Sequence, residues 1–468
     1  MNSKDGLSAW QLTMLALGTV VGGSFFLGSS IAIKAAGPAI FLSFILGGVL
    51  VYFILTALSE MAVANPRPGS FQAYSQEAFG PWLGFVVGWV YWTGLVLAMS
   101  SEATAVSVFL QEWIPGVSPP VLATVIVVGV TLLNLLGAKT LSHLESSLAA
   151  IKIGALAGFA GLALALIIGI FPEKAPVGLG VLASEPVFPG GVGGIAGSML
   201  IVLFSYAGFE IIGLASSEAR DPHKTIPRAI MYTVIVLVGL YCSVIAVLLP
   251  LVRTENLTQE VSPLVAALSG GGLGWAAGSI NVIMITAIIS TMLAATFGLG
   301  RMVRSLADAG HAPAVLIDKG DVPLRGILFS GAAMLASVSL GYLLPKQIYL
   351  FLVSAGGFSL LFVYAVILIT HYQHRRRYGC PPQGHCQLAG FPYTSWFSIG
   401  GLVAVIATMP LIPGQGSGLY VGLLLTGFYL VLFTVFKRLP QKLFSRSPAL
   451  AKPQPRNFLG RNKTNKSD

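Results

Sequence analysis

Runs of apolar residues recur along the whole chain and are separated by short polar stretches. Phe41 to Leu58, Val121 to Ala138, Ile153 to Phe171, Ala229 to Val252 and Leu328 to Pro345 carry no charge. Each approaches or exceeds the ~20 residues that a helix needs to cross ~30 Å of hydrocarbon. Reading hydropathy together with its polar interruptions predicts twelve helices, at roughly 9–33, 38–64, 82–113, 119–137, 145–171, 191–217, 227–251, 273–306, 326–344, 347–373, 396–412 and 418–437. The first apolar run has no basic start and no A-x-A cleavage site, so it reads as helix one rather than a removable leader. The expected fold is an all-α polytopic membrane protein over residues 1–440, followed by a basic, disordered tail at 441–468.

Composition supports this pattern. Of 468 residues 55% are hydrophobic and 9% charged, against about a quarter charged in ordinary soluble chains. Charge then sets orientation, because Lys and Arg resist translocation. With the amino terminus inside, 22 of the 27 Lys and Arg fall in cytoplasmic segments, four (Lys34, Lys174, Arg253, Lys346) fall outside, and Lys152 lies within a helix. Both termini are therefore expected in the cytoplasm of a cell with this protein in its plasma membrane. The net charge of +10 reads as a topology signal rather than a nucleic-acid surface, since the basic tail lacks interleaved aromatics apart from Phe444 and Phe458.

Several classes of chemistry are excluded. No GxxxxGK[ST] phosphate loop is present. The six histidines lie at or beyond predicted helix ends, so no constellation for membrane-embedded catalysis converges. Cys380, His385 and Cys386 cluster in a loop, but C-x5-C with one His is not a common structural zinc spacing; the expectation is a solvated loop, no metal and no cofactor.

Two helices carry weak points at their middle. Helix one contains Gly18, Thr19, Val20, Val21, Gly22, Gly23 and Ser24, and helix six contains Ser205, Tyr206, Ala207 and Gly208 between Phe204 and Phe209. Glycine weakens a helix by about 1 kcal/mol relative to alanine. An opened helix at membrane depth is tolerable where its freed N–H and C=O groups line a cavity or meet a ligand. The two positions are equivalent in an inverted repeat of helices one to five (about 9–171) and six to ten (about 191–373), with 396–437 peripheral. N–H donors suit a carboxylate and C=O acceptors an ammonium, so the natural ligand is a zwitterion. Gly84 with Gly88, and Gly154 with Gly158, read instead as close-packing glycines.

The stretch Phe204 to Ile230, FSYAGFEIIGLASSEARDPHKTIPRAI, closely resembles the helix-six signature of the amino acid-polyamine-organocation superfamily, in its bacterial amino acid permease branch. LSEMAVANPRPGSFQAYSQEAFGPWLGFVVGW near helix two, Tyr91-Trp92 with Glu102, Lys152 in AAIKIGA, GRMVRSLADAGHAP from Gly300 and SAGGFSLLFVYAVILITHYQHRRR from Ser354 match in order. The resemblance implies a five-plus-five inverted-repeat fold with helices one and six unwound, and a secondary permease working by alternating access. The implied substrate site is Val21, Gly22, Gly23 and Ser24 with Phe204, Ser205, Tyr206 and Ala207. Ser24 and Phe25 depart from the family's usual run, which ends in glycine, and this leaves the pocket's shape open.

Buried charge at the bilayer centre is costly, so Lys152, Glu210 and Glu102 need a reason. By resemblance, Lys152 stands where sodium-coupled relatives hold a cation, implying sodium independence, and as a buried lysine it is able to lose and regain a proton during the cycle; a static ion pair is the alternative. Glu210 is expected to exchange protons, or to be a neutral structural acid, and Glu102 to serve coupling or structure. Apolar Met99, Met292 and Phe358 point to a neutral, aliphatic amino acid, and proton-coupled symport is the expected mode of transport. Exchange, a polyamine or 4-aminobutyrate (GABA) substrate, and a non-transporting amino acid sensor are the alternatives. Oligomeric state is not legible.

Overall fold

The computed structural model describes residues 6–65, 69–171, 175–216, 219–318, 320, 322–343, 347–380 and 386–436. The tail at 441–468 and His385 lie outside them. The helices are α1 (Ala9–Val20), α2 (Gly23–Phe26), α3 (Gly28–Ala36), α4 (Ile40–Ala64), α5 (Phe71–Phe79), α6 (Pro81–Leu110), α7 (Pro119–Asn134), α8 (Ala138–Ile168) and α9 (Gly191–Ser205). They continue with α10 (Ile211–Leu214), α11 (Pro222–Leu248), α12 (Pro263–Gly270), α13 (Gly274–Asp308), α14 (Leu324–Ser339), α15 (Ile348–Tyr378), α16 (Tyr393–Thr408) and α17 (Gly416–Phe436). Among the described residues the only strand-like pairing is an isolated parallel bridge between Leu7 and Ala219.

Nine helical spans among the described residues are long and apolar enough to cross a membrane, and α1, α7 and α9 are shorter apolar helices. Their burial sorts them into layers. The apolar window of α6 is 94% buried and that of α15 83%, against 17% for α17. Helices α6 and α15 therefore form the centre, and α17 lies on the rim. Outward-facing Val125, Ile170 and Leu424 are each more than half exposed, an apolar surface that suits contact with lipid.

Local chemistry sets the boundaries. Ser8 opens α1 with a reciprocal capping box to Gln11, which satisfies two otherwise orphaned donors. At Gly37 the chain turns from α3 toward α4 with φ +61, and a Cβ there would sit 2.3 Å from Pro189 Cγ, so only glycine fits.

Two expectations need correction. The segment before α6, assigned no helix from sequence, forms α5, which buries Phe71, Gln72, Tyr74 and Ser75; that i, i+3, i+4 stripe holds it against the core. A short helix, α12, likewise precedes α13. Gly154 and Gly158 are not packing glycines, since a Cβ on either would meet nothing within 4 Å. Gly84 and Gly88 are, with Gln76 Cβ at 2.7 Å and Leu306 Cδ2 at 2.5 Å.

Candidate functional site

Both glycine-rich segments interrupt their helices. After α1, Val21 (φ −74, ψ 102) and Gly22 (φ −148, ψ −164) are extended, and helical geometry resumes at Gly23. After α9, Gly208 has φ +107 before α10 begins at Ile211. The interruptions touch: Thr19 Oγ1 donates to Gly208 O at 3.0 Å, and Ser205 Oγ donates to Ser24 O at 3.1 Å. A Cβ at Gly208 would lie 2.8 Å from Thr19 O, so glycine is required there by both conformation and contact.

Buried charges gather at the first break. Glu102 of α6 is 3% exposed; its Oε2 accepts from Gly23 N at 2.5 Å and its Oε1 from Ser24 N at 3.1 Å. The donors freed by opening α1 are thus already bonded to a carboxylate. On the opposite side of the break, Lys152 Nζ of α8 donates to Gly18 O at 2.6 Å and to Thr291 Oγ1 at 2.7 Å, and Thr291 Oγ1 donates to Val21 O at 2.9 Å. Glu210 accepts from Gly208 N at 3.0 Å and from the hydroxyls of Tyr91 and Tyr364, each at 3.2 Å.

A cavity lies where the two breaks meet. Ser24, Glu102, Phe204 and Ala207 line it at the level of the breaks, and Tyr91, Glu210 and Gly298 line it further down. From Thr291 to Gly298 along α13 is about 10 Å at 1.5 Å per residue, so the cavity runs from the breaks toward the face on which α13 ends and α6 begins. Away from that face an aromatic cluster fills the space. Phe25 stacks on Tyr241 with centroids 4.0 Å apart, and Phe44 meets both edge-on.

The expected substrate residues therefore divide. Ser24, Phe204 and Ala207 line the cavity, and Val21, Gly22 and Gly23 contribute the backbone of the break. The Tyr206 hydroxyl turns to Phe44 O at 3.0 Å, within the aromatic cluster. Glu102 and Glu210 are in the cavity wall, whereas Lys152 sits behind α1. Of the three apolar residues assigned to selectivity only Met99 lines the cavity; Met292 is buried away from it, and the Phe358 ring lies where a Cβ on Gly422 would go. Thr291 and Tyr364 went unnoticed in the sequence, and Thr19 was named there only as part of the weak run of helix one. A hydroxyl in an apolar span announces that it needs a partner, without saying which.

A second polar centre lies apart from the cavity. Glu60, buried in α4, accepts from His371 Nε2 at 2.7 Å and from Gln387 N and Leu388 N at 2.6 Å each, with Arg375 Nη1 at 3.5 Å. Close by, Cys380 and Cys386 are joined as a disulfide with Cα atoms 5.2 Å apart.

The family model for amino acid permeases matches residues 11–443. An uncharacterized amino acid permease of Bacillus subtilis, YvbW, is 32% identical over 437 residues, covering 92% of this chain and 97% of the relative. The gamma-aminobutyric acid permease of Escherichia coli is 32% identical over 416 residues (88% and 89%), and that of Bacillus subtilis 29% over 440 residues (93% and 94%). With helices that suit a bilayer, a cavity between two interrupted ones and a family match along almost its whole length, this chain belongs to the amino acid permease family of multi-pass membrane transporters.

Proposed function

We propose that this permease carries a zwitterionic amino acid, binding it midway through the membrane between the break after α1 and the break after α9. The single observation that carries this reading is the carboxylate of Glu102 seated on Gly23 N and Ser24 N, because donors that hold one carboxylate have the geometry to hold another. Val21, Gly22, Gly23 and Ser24 would form the carboxylate end of the site, and Phe204, Ser205, Tyr206 and Ala207 the other wall. Alternating access would come from rocking the first, second, sixth and seventh spans of a twelve-span, five-plus-five repeat. Both termini would face the cytoplasm, in line with the bias of basic residues.

Transport is proposed to be driven by protons and not by sodium. The ammonium of Lys152, bonded to Gly18 O and Thr291 Oγ1, supplies a fixed positive charge between α1 and α13, and Glu102 and Glu210 are the proton-exchanging candidates. Met99 and Leu95 in the cavity wall favour a neutral, aliphatic side chain. A second reading, 4-aminobutyrate as substrate, is favoured by the two gamma-aminobutyric acid permeases among the relatives.

The test is counterflow in liposomes with the proteinogenic amino acids and 4-aminobutyrate, with and without a pH gradient. Accumulation of one neutral amino acid that rises with an inward proton gradient is expected. Binding without flux would make the protein a sensor, and flux indifferent to the gradient would make it an exchanger.

A further inference from the structure

The donors proposed to receive a substrate's carboxylate are occupied in this structure. Glu102 Oε2 is 2.5 Å from Gly23 N and Oε1 is 3.1 Å from Ser24 N. The contact is close enough that a Cβ added at Gly23 would lie 2.8 Å from Oε2. Two carboxylates cannot share these N–H groups. Each would lose half its hydrogen bonds, and like charges a few ångströms apart in a low-dielectric cavity repel by several kcal/mol.

We propose that Glu102 is an internal stand-in for the substrate's carboxylate, displaced from the break of α1 when an amino acid binds and taking up a proton as it leaves. This rests on the zwitterion-binding reading above and adds to it the event that couples binding to protons. Displaced, the Glu102 side chain would stay in the same cavity, whose wall holds Leu95, Ala98 and Phe204 together with the hydroxyls of Thr19, Tyr91 and Thr291, which donate to Gly208 O, Glu210 and Val21 O. An ionised carboxylate that gives up two N–H donors there is disfavoured, whereas a protonated one needs a single acceptor. The proton comes from the aqueous mouth of the cavity and returns there when Glu102 reoccupies Gly23 N and Ser24 N. The other titratable groups acting on Glu102 are Lys152 of α8, Tyr241 of α11 and Tyr349 of α15, with Glu210 in the same cavity. The tyrosines engage the carbonyls of Ser205 and Gly23, and Lys152 is held by Gly18 O and Thr291 Oγ1.

The sign of the linkage is definite. Binding that takes up one proton weakens as pH rises, by about tenfold per unit where Glu102 is ionised in the free protein. Titration calorimetry on the purified full-length protein in phosphate and in Tris counts the protons taken up per amino acid bound. L-Alanine and 4-aminobutyrate serve as probes, alongside whichever proteinogenic amino acid gives the strongest counterflow. The expectation is one proton in the wild type and none in Glu102→Gln, with affinity in the variant pH-independent and at least as tight as in the wild type. Loss of binding in a folded Glu102→Gln protein would overturn the proposal, making Glu102 a ligand for the substrate's ammonium. An unchanged proton count would overturn it equally, as would a proton count of zero in the wild type, in which case the displaced carboxylate pairs with Lys152. Should the variant not fold, infrared difference spectra of the wild type decide: a new protonated-carboxyl band on adding the amino acid is expected, and its absence refutes the idea. A wild type that neither binds nor carries any amino acid would refute the permease reading itself, a result distinct from flux without proton uptake.

Discussion

Gly208→Ala tests whether the contact between the two broken helices organises the site. At φ +107 the backbone occupies a region that costs an L-residue about 1–3 kcal/mol. The added Cβ would also lie 2.8 Å from Thr19 O, 3.0 Å from Thr19 C and 3.3 Å from Val20 N. All three are backbone atoms at the end of α1 and have no rotamer through which to retreat. The cheapest relaxation separates the breaks by a few tenths of an ångström, lengthening the Thr19 Oγ1 to Gly208 O bond, now 3.0 Å, at about 1 kcal/mol. The combined penalty is about 2–4 kcal/mol, roughly a 30- to 1,000-fold loss in the population of the packed break. Two assays separate local from global damage: melting of the detergent-purified protein followed by size-exclusion fluorescence, and counterflow in liposomes. Gly208→Ala should remain monodisperse with a lowered melting temperature and lose most of its flux. Gly239→Ala in α11, where a Cβ would meet nothing within 4 Å, is the control and should match or exceed the wild type in stability. A Gly208→Ala protein with wild-type melting and flux would refute the argument.

Other perturbations have equally definite outcomes. Glu60→Gln turns an amide N–H₂ toward the Gln387 and Leu388 N–H groups or leaves His371 unpaired; a loss of about 3–5 kcal/mol should appear as a lower melting temperature and faster amide exchange at 386–391. His311, beyond the end of α13 and 7% exposed, is held neutral by burial, which pushes its pKa from 6.5 down to about 4. Its unfolded form binds a proton between those values and its folded form does not. It therefore contributes stability that is intact above pH 6.5 and is lost as pH falls toward 4, by about 2–3 kcal/mol; melting against pH should show this loss and His311→Gln should flatten it. Replacing Na⁺ with choline at fixed pH should leave uptake into liposomes unchanged, and sodium-dependent uptake would contradict the role proposed for Lys152.

Membrane character and the positions of the breaks were legible in the linear order of residues because both are local. An apolar run such as Phe41 to Leu58 identifies a span whatever it packs against, since lipid and protein interior are equally apolar to it. Gly22-Gly23 and Gly208 mark weak points because a missing Cβ loosens a helix wherever it lies. Even the α5 stripe of Phe71, Gln72, Tyr74 and Ser75 was present in the sequence, but too short and polar to stand out beside longer spans.

What only the tertiary structure decided is which partner each residue meets. Gly84 and Gly154 look alike in sequence, yet one faces Gln76 and the other open space, because packing depends on the helix opposite. Glu60 finds His371 at a separation of 311 residues, and Glu102 finds Gly23 at 79. In a membrane interior a buried carboxylate must be satisfied by some donor. The sequence states that requirement, and only the folded arrangement of α1 and α6 brings the peptide N–H groups of the opened helix to Glu102 as donors that meet it.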